Sequence, residues 1–351
     1  MRRAGLLPVV FALLAAHPAR AANEAAWATQ MRHAMGTLWT VEAHAPDVER
    51  ALDAAFAEVR RLDASLSTYR ADSELSRVNR EAARDWTPVS AETRRLIGRA
   101  LGVAAESGGA FDPTVGPLVQ VWGFKHLDYR MPDPWAIAAA RARVGWTGVQ
   151  LSEVRGVRFM RPGLELDLGA IAKGYAVDRA LAVLRDCGAD AARVDAGGNQ
   201  GVFGPSPEGG AWVFGIRHPR REGEILDTVP LTGGGISTSG DDQRGFWHEG
   251  VRYGHVLDPR TGWPVRGRPS VTVVAPDAET ADALSTALLI LGGAEGEPLL
   301  ARHPGCRALF VSEGDATDSL EVMAASSDGR APTAARRSGV ARKSRSLPDW
   351  R

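Results

Sequence analysis

The chain is 351 residues long, 44% hydrophobic, and carries 42 Lys plus Arg against 42 Asp plus Glu. That length and apolar content suffice for one large domain or two intimate ones, and the charge balance removes any global electrostatic case for nucleic acid. Two cysteines, with no CxxC, no HExxH and no histidines at ligand spacing, leave zinc and haem chemistry without support.

In chain order, Arg2 and Arg3 precede an apolar run over residues 6–16, and Ala19-Arg20-Ala21 supplies small residues before a cut. Residues 1–21 therefore read as a secretory signal peptide. The run is shorter than the roughly 20 residues a membrane span needs, so the expected product is soluble, not membrane-spanning, and periplasmic or otherwise extracytoplasmic. Residues 35–41 predict a first strand entered through Gly36. Val48, Leu52, Phe56, Val59 and Leu62 then recur at helical spacing, with Asp47 placed to cap the start. A second helix starts at Ser90 and ends at Gly108-Gly109, and a third starts at Asp133-Pro134. Between the first two lies a polar segment, residues 67–79, in which Ser73, Glu74 and Ser76 suit a short capped helix. Residues 108–118 and Trp122-Gly123-Phe124 form a loop with aromatic walls and one carboxylate, either a cradle for a flat ring or an ordinary rigid turn.

Leucine alternates with acid over residues 164–168, which predicts a half-buried strand, and helical spacing follows through Ala180, Leu181 and Leu184. At that junction Gly169 and Gly174 permit close approach, Lys173 offers a positive charge, and free N–H groups face the helix entrance. The combination suits phosphate; it equally describes a plain strand-to-helix turn with a surface lysine. The second half predicts a hairpin over 149–159, strands at 192–195 and 212–216, a hairpin over 246–253 turning at Glu249-Gly250, and a strand at 270–275. A helix over 279–291 is stopped by Gly292-Gly293. Strands and helices without regular alternation argue for an α+β fold. Cys187 and Cys306 are either a pair or buried free thiols, and residues 326–351 form a basic tail without periodicity, read as disordered.

Asp282 and Thr286 stand four residues apart on that last helix, so a carboxylate and a hydroxyl share one face. With a backbone carbonyl they would meet the preference of Mg²⁺ for a few hard oxygens plus substrate phosphate; alone, the pair is also an ordinary solvated face. Residues 236–241 and 253–265 place serines, His255, Asp258 and Arg260 on tight turns. They make either a rim for proton transfer and anion binding or a core histidine beside a turn.

Taken together, the residues resemble the ApbE-type flavin transferases, FAD:protein FMN transferases. The matching blocks are Met35-Gly36-Thr37, residues 67–79, 109–124 and 167–178, Gly197-Gly198-Asn199, Thr238-Ser239-Gly240-Asp241, residues 255–265, and 281–288. Eight blocks in the family's order are specific where each alone is modest. The resemblance implies an ApbE-like, T-fold-related α+β domain over residues 22–325, with mixed, largely antiparallel sheets and packed helices. It implies Mg²⁺-dependent transfer of FMN from FAD to a Thr or Ser hydroxyl of an acceptor protein, releasing AMP. By the family pattern Asp282, Thr286, the carbonyl of Ala170 and Ser285 hold the metal. Met35, Tyr69, Ala110, Phe111, Asp112, Asp167, Lys173, His255 and Val256 contact FAD. His255 also matches the family's base, and Asp258 is expected as its orienting partner or as an alternative base. The acceptor is expected to be a membrane-associated redox protein. Two departures, Asp242 in place of an aromatic and Gly254 in place of a small polar residue, alter the rim and keep two other readings open: an FAD carrier without transfer, and an FAD pyrophosphatase.

Overall fold

Alternating burial along residues 37–45 fixes the frame. The computed structural model describes residues 24–241, 244–314, 320–328 and 335–337, so the expected signal peptide, Asp242 and most of the tail lie outside the described residues. Strand β1 (Ala26–Ala34) and β2 (Thr37–Ala45) form a hairpin across Met35-Gly36. Both turn residues have positive φ, 47° and 74°, as a two-residue turn matched to strand twist requires. The expected strand thus begins two residues later, and a strand precedes it.

Helix α1 (Val48–Leu66) buries Leu52, Phe56, Val59 and Leu62 as their spacing predicts, although the Asp47 side chain makes no capping bond. Helix α2 (Glu74–Glu81) is the short capped helix foreseen in the polar segment, with Ser73 Oγ accepting from Ser76 N. Helices α3 (Ala91–Glu106), α4 (Gly116–Val121) and α5 (Pro134–Arg141) follow, then the hairpin of β3 (Val149–Ser152) and β4 (Gly156–Phe159).

Residues 164–168 are not a regular strand. A single bridge joins Glu165 to Val115, and the neighbouring backbone groups find other partners. Asn79 Nδ2 donates to Leu166 O and Asn79 Oδ1 accepts from Leu166 N, each at 2.8 Å, while Asp167 N donates to Pro113 O at 2.7 Å. One side-chain amide supplies the donor and acceptor that a neighbouring strand would have offered. The leucines remain buried, which is why their alternation imitates a strand.

Helix α6 (Ala172–Asp186) leads to β5 (Ala191–Ala196), β6 (Asn199–Phe203), the β7 (Trp212–Arg217) and β8 (Ile225–Leu231) hairpin, and β9 (Gly233–Gly240). The hairpin of β10 (Gly245–His248) and β11 (Val251–Gly254) and the short pair β12 (Leu257–Asp258) and β13 (Trp263–Pro264) precede β14 (Ser270–Ala275). Helix α7 (Ala278–Leu300) breaks where Gly292-Gly293 predicts: Gly292 is non-helical at φ 75°, and helix then resumes. Strands β15 (Arg307–Glu313), β16 (Leu320–Ser326) and β17 (Ala335–Arg337) follow, so part of the basic tail is a strand paired with Leu320–Val322.

The described strands build a nine-stranded antiparallel sheet in the order β1-β2-β5-β6-β9-β14-β15-β16-β17. Helices α1, α6 and α7 cover one face with the main core. The β7–β8 hairpin covers the other, where Trp212, Phe214 and Val229 meet Val202, Ile236, Val274 and Leu309. Strand β14, covered on both faces, is buried throughout, as its unbroken apolar and small residues require. The architecture is α+β. Cys187 and Cys306 are free thiols; burial pushes the Cys306 thiol up to about 12, which leaves it inert.

Candidate active site

The site grows from the contact of α6 with α7. In an ordinary helical turn the amide of Gly174 would donate to the carbonyl of Ala170. Here Gly174 N donates instead to Asp282 Oδ2 at 2.9 Å. Ile171, just before the helix, has φ −146°, which swings Ala170 out of the helical path, and no hydrogen bond to the Ala170 carbonyl forms among the described residues. Gly174 is required here, since a Cβ would lie 2.1 Å from Ala278 O and 2.7 Å from Asp282 Cβ.

Asp282 is 3% exposed, and burial raises its pKa, with Lys173 and the Gly174 amide opposing. A buried carboxylate with so little compensation asks for a cation. Four residues on, Thr286 Oγ1 is half-buried and lies 3.2 Å from Ser239 Oγ. Ser285 Oγ is fully buried, donates to Asp282 O at 2.9 Å, and sits 2.9 Å from Ser239 Oγ and 3.1 Å from Ser237 Oγ. Ser237 in turn donates to Asn199 Oδ1 at 2.6 Å. The hydroxyl of Ser285 is therefore spent inside the wall behind Thr286, while Asp282, Thr286 and Ala170 keep lone pairs to offer. These are hard oxygen donors, and among the described residues no cluster of three His, Cys, Asp or Glu side chains forms a metal cage. Such a set fits Mg²⁺ completed by substrate phosphate, and does not fit zinc.

Lys173 Nζ donates to Gly169 O at 2.7 Å, and Gly169 N to Asp167 Oδ1 at 2.8 Å, so the glycine loop holds its lysine and its acid together. The Lys173 charge reaches both Asp282 and His255. The His255 imidazole is pushed down to about 4, first by burial and then by Lys173, and its Nδ1 is shielded with no hydrogen-bond partner. His255 N donates to Arg244 O, and Arg244 Nη2 to Gly36 O at 3.2 Å, which ties the Met35-Gly36 turn to the histidine. Val256 is half-buried beside it.

Other expected residues stand differently. Asp258 does not orient His255: its carboxylate accepts from Arg260 N, Nε and Nη2, and its carbonyl from Gly262 N, so it builds a turn. Asp112 is buried with both oxygens engaged, by Thr114 and by Trp146 N, and braces its own loop. Ala110 and Phe111 are buried in the main core. Tyr69 is 62% exposed. Sequence reasoning assigns Asn79, Asn199 and Arg244 no individual role and reads Ser237 and Ser239 as part of the rim, whereas the structure places these serines behind Thr286. Clefts of about 410 and 710 Å³ open elsewhere, and neither has Lys173, His255, Asp282 or Thr286 in its walls.

Fold and site together define a class: an α+β protein with a sheet-backed candidate cation site of oxygen donors, beside a glycine turn that leads into a helix bearing one lysine. The family model for the ApbE family matches residues 35–310, and the chain belongs to that family. The FAD:protein FMN transferase of Salmonella typhimurium is 34% identical over 325 residues, covering 89% of this chain and 93% of that protein. The FAD:protein FMN transferase of Treponema pallidum is 34% identical, covering 79% and 82%. Among solved structures, the ApbE protein of Thermotoga maritima superposes with a TM-score of 0.77 at 35% identity, covering 83% of this chain and 96% of that one. The flavinyl transferase ApbE of Pseudomonas stutzeri gives 0.77 at 32% identity, covering 87% and 96%.

Proposed function

We propose that this protein is a Mg²⁺-dependent FAD:protein FMN transferase that works outside the cytoplasm on a Thr or Ser hydroxyl of a membrane-associated redox protein. The observation that supports this is the diverted amide of Gly174, which bonds Asp282 and leaves the Ala170 carbonyl without a helical donor. Asp282, Thr286 and the Ala170 carbonyl would hold the metal, with Ser285 and Ser239 fixing Thr286 from behind. Bound there, Mg²⁺ supplies charge neutralisation for the FAD pyrophosphate.

Lys173 adds a positive charge at the same group, and the Gly169 loop allows backbone to approach it. The acceptor hydroxyl forms its bond to the FMN phosphorus as the bond to the AMP oxygen breaks. Its proton passes to His255, whose lowered pKa keeps the imidazole neutral and able to accept at pH 7. The bound pyrophosphate would raise that pKa by offsetting Lys173. No described helix is long and apolar enough to cross a membrane, which is compatible with a soluble enzyme acting on an anchored acceptor.

The test mixes the mature protein, FAD, Mg²⁺ and a candidate threonine-bearing acceptor domain, and follows acceptor flavin fluorescence in denaturing gels together with AMP release. Labelled acceptor with equimolar AMP is expected. FAD binding with neither product would make the protein a carrier; AMP and free FMN without labelling would make it a pyrophosphatase.

A further inference from the structure

Helix α7 begins with amide groups that have no acceptor within the helix. The Asp277 side chain accepts from Thr280 N at 2.7 Å, while Ala281 N makes the first helical bond, to Asp277 O at 3.2 Å. Two more amides are held by a different helix. Asp178 of α6 accepts from Ala278 N through Oδ1 at 2.9 Å and from Glu279 N through Oδ2 at 2.8 Å. Glu279 is itself gripped by Arg95 and Arg99 of α3. One turn earlier on α6, Gly174 touches Ala278 and donates to Asp282. The same two helices are thus tied at two levels, once at the site and once at the start of α7.

Helix capping alone does not account for Asp178. This helix end opens onto a cleft of about 410 Å³ whose walls include Asp178, Asp277 and Glu279, so water can reach the region. Burial instead pushes the Asp178 carboxyl up to about 7, against the two amide bonds that favour its ionised form. What a fixed, two-pronged carboxylate provides and water does not is direction. Gly174 lets α6 and α7 pack closely but has no side chain to interlock; its amide gives one directional tie, to Asp282, and Asp178 adds a two-pronged one at the start of α7.

We propose that Asp178 is a positioning residue that sets the axial register of α7 on α6, and so places the Asp282 carboxylate and the Thr286 hydroxyl opposite the Ala170 carbonyl. The assignment rests on reading the α6–α7 junction as the metal and pyrophosphate site.

The experiment measures Mg²⁺ binding to the full mature protein by calorimetry, the Mg²⁺ dependence of flavin transfer, and metal-free thermal unfolding, for wild type, Asp178→Asn and Asp178→Glu. The Asn side chain keeps the shape but accepts from only one amide. It is expected to weaken Mg²⁺ affinity about tenfold, in the range seen when partners that orient metal ligands are removed. The half-saturating Mg²⁺ concentration should rise in step, and saturating Mg²⁺ should return the rate to within a few-fold of wild type. Glu, which retains both acceptors on a longer arm, should fall between. An unchanged Mg²⁺ dissociation constant in Asp178→Asn, even with a lower unfolding temperature, overturns the assignment. If Asn does not fold, Glu decides by the same criterion. Failure of wild type to bind Mg²⁺ would instead strike the underlying site.

Discussion

Replacing Gly174 by alanine sets two effects of opposite sign against each other. Inside a helix alanine is favoured over glycine by at most about 1 kcal/mol. The new Cβ would lie 2.1 Å from Ala278 O, roughly 1.2 Å inside an ordinary carbon–oxygen contact of about 3.3 Å, and 2.7 Å from Asp282 Cβ. Backbone on one side and a buried carboxylate on the other leave nothing flexible to yield, so α6 and α7 must part. Overpacking costs about 1–3 kcal/mol, and losing the Gly174–Asp282 hydrogen bond about 1.5–3 more. The net expectation for Gly174→Ala is a destabilisation of about 2–5 kcal/mol with transfer activity lost. Gly102→Ala on the exposed face of α3 is the control: its Cβ meets nothing within 4 Å, and a gain of about 0.5–1 kcal/mol is expected with unchanged activity. Urea denaturation of both variants, with flavin transfer measured alongside, makes the comparison. A Gly174→Ala protein as stable and active as wild type would refute the account of the helix contact.

Further outcomes can be checked independently. Asp282→Ala should abolish transfer and remove any Mg²⁺-dependent rise in unfolding temperature, and full activity in chelated buffer would contradict the metal assignment. His255 is neutral when folded and titrates near 6.5 when unfolded, so its contribution to stability is present above about pH 6.5 and lost as pH falls toward 4. That loss amounts to at most about 3 kcal/mol at 1.36 kcal/mol per unit, and His255→Gln should flatten this part of the substrate-free stability profile. Asn79→Ala should strand the N–H and C=O of Leu166, costing about 2–4 kcal/mol and raising KM for FAD; an unaltered KM would show that residues 164–171 hold their path without it.

Periodicity located the large helices because their burial is one-sided: Val48, Leu52, Phe56 and Val59 could face only a core. It also found β14 and the β3–β4 and β10–β11 hairpins. It failed at residues 164–168, where alternation reported burial correctly but could not say that the hydrogen bonds go to Asn79 and Pro113 instead of to a strand. Strand β9, Gly-Gly-Gly-Ile-Ser-Thr-Ser-Gly, was invisible for the opposite reason. Gly235 in it is required because a Cβ there would strike Ala278 backbone at 2.4 Å, a demand made by α7 and not by β propensity. The residues named for metal and phosphate came from motifs; the structure joins the start of α6 to Asp282 through the Gly174 amide, with Thr286 one turn further along α7 and the Ser285 hydroxyl engaged by serines. Asp258 does not orient His255 because a neighbouring arginine claims its carboxylate, a competition that spacing does not reveal.

The replacement of a strand neighbour by Asn79 has a consequence for the order of assembly. The loop that carries Ala170 and Lys173 is pinned by a side chain 87 residues earlier and completed by a helix more than 100 residues later. Contacts so distant in sequence close late, after the entropy of long loops has been lost. A chain folding from its N-terminus therefore lacks the Gly174–Asp282 contact, and with it the proposed site, until α7 docks.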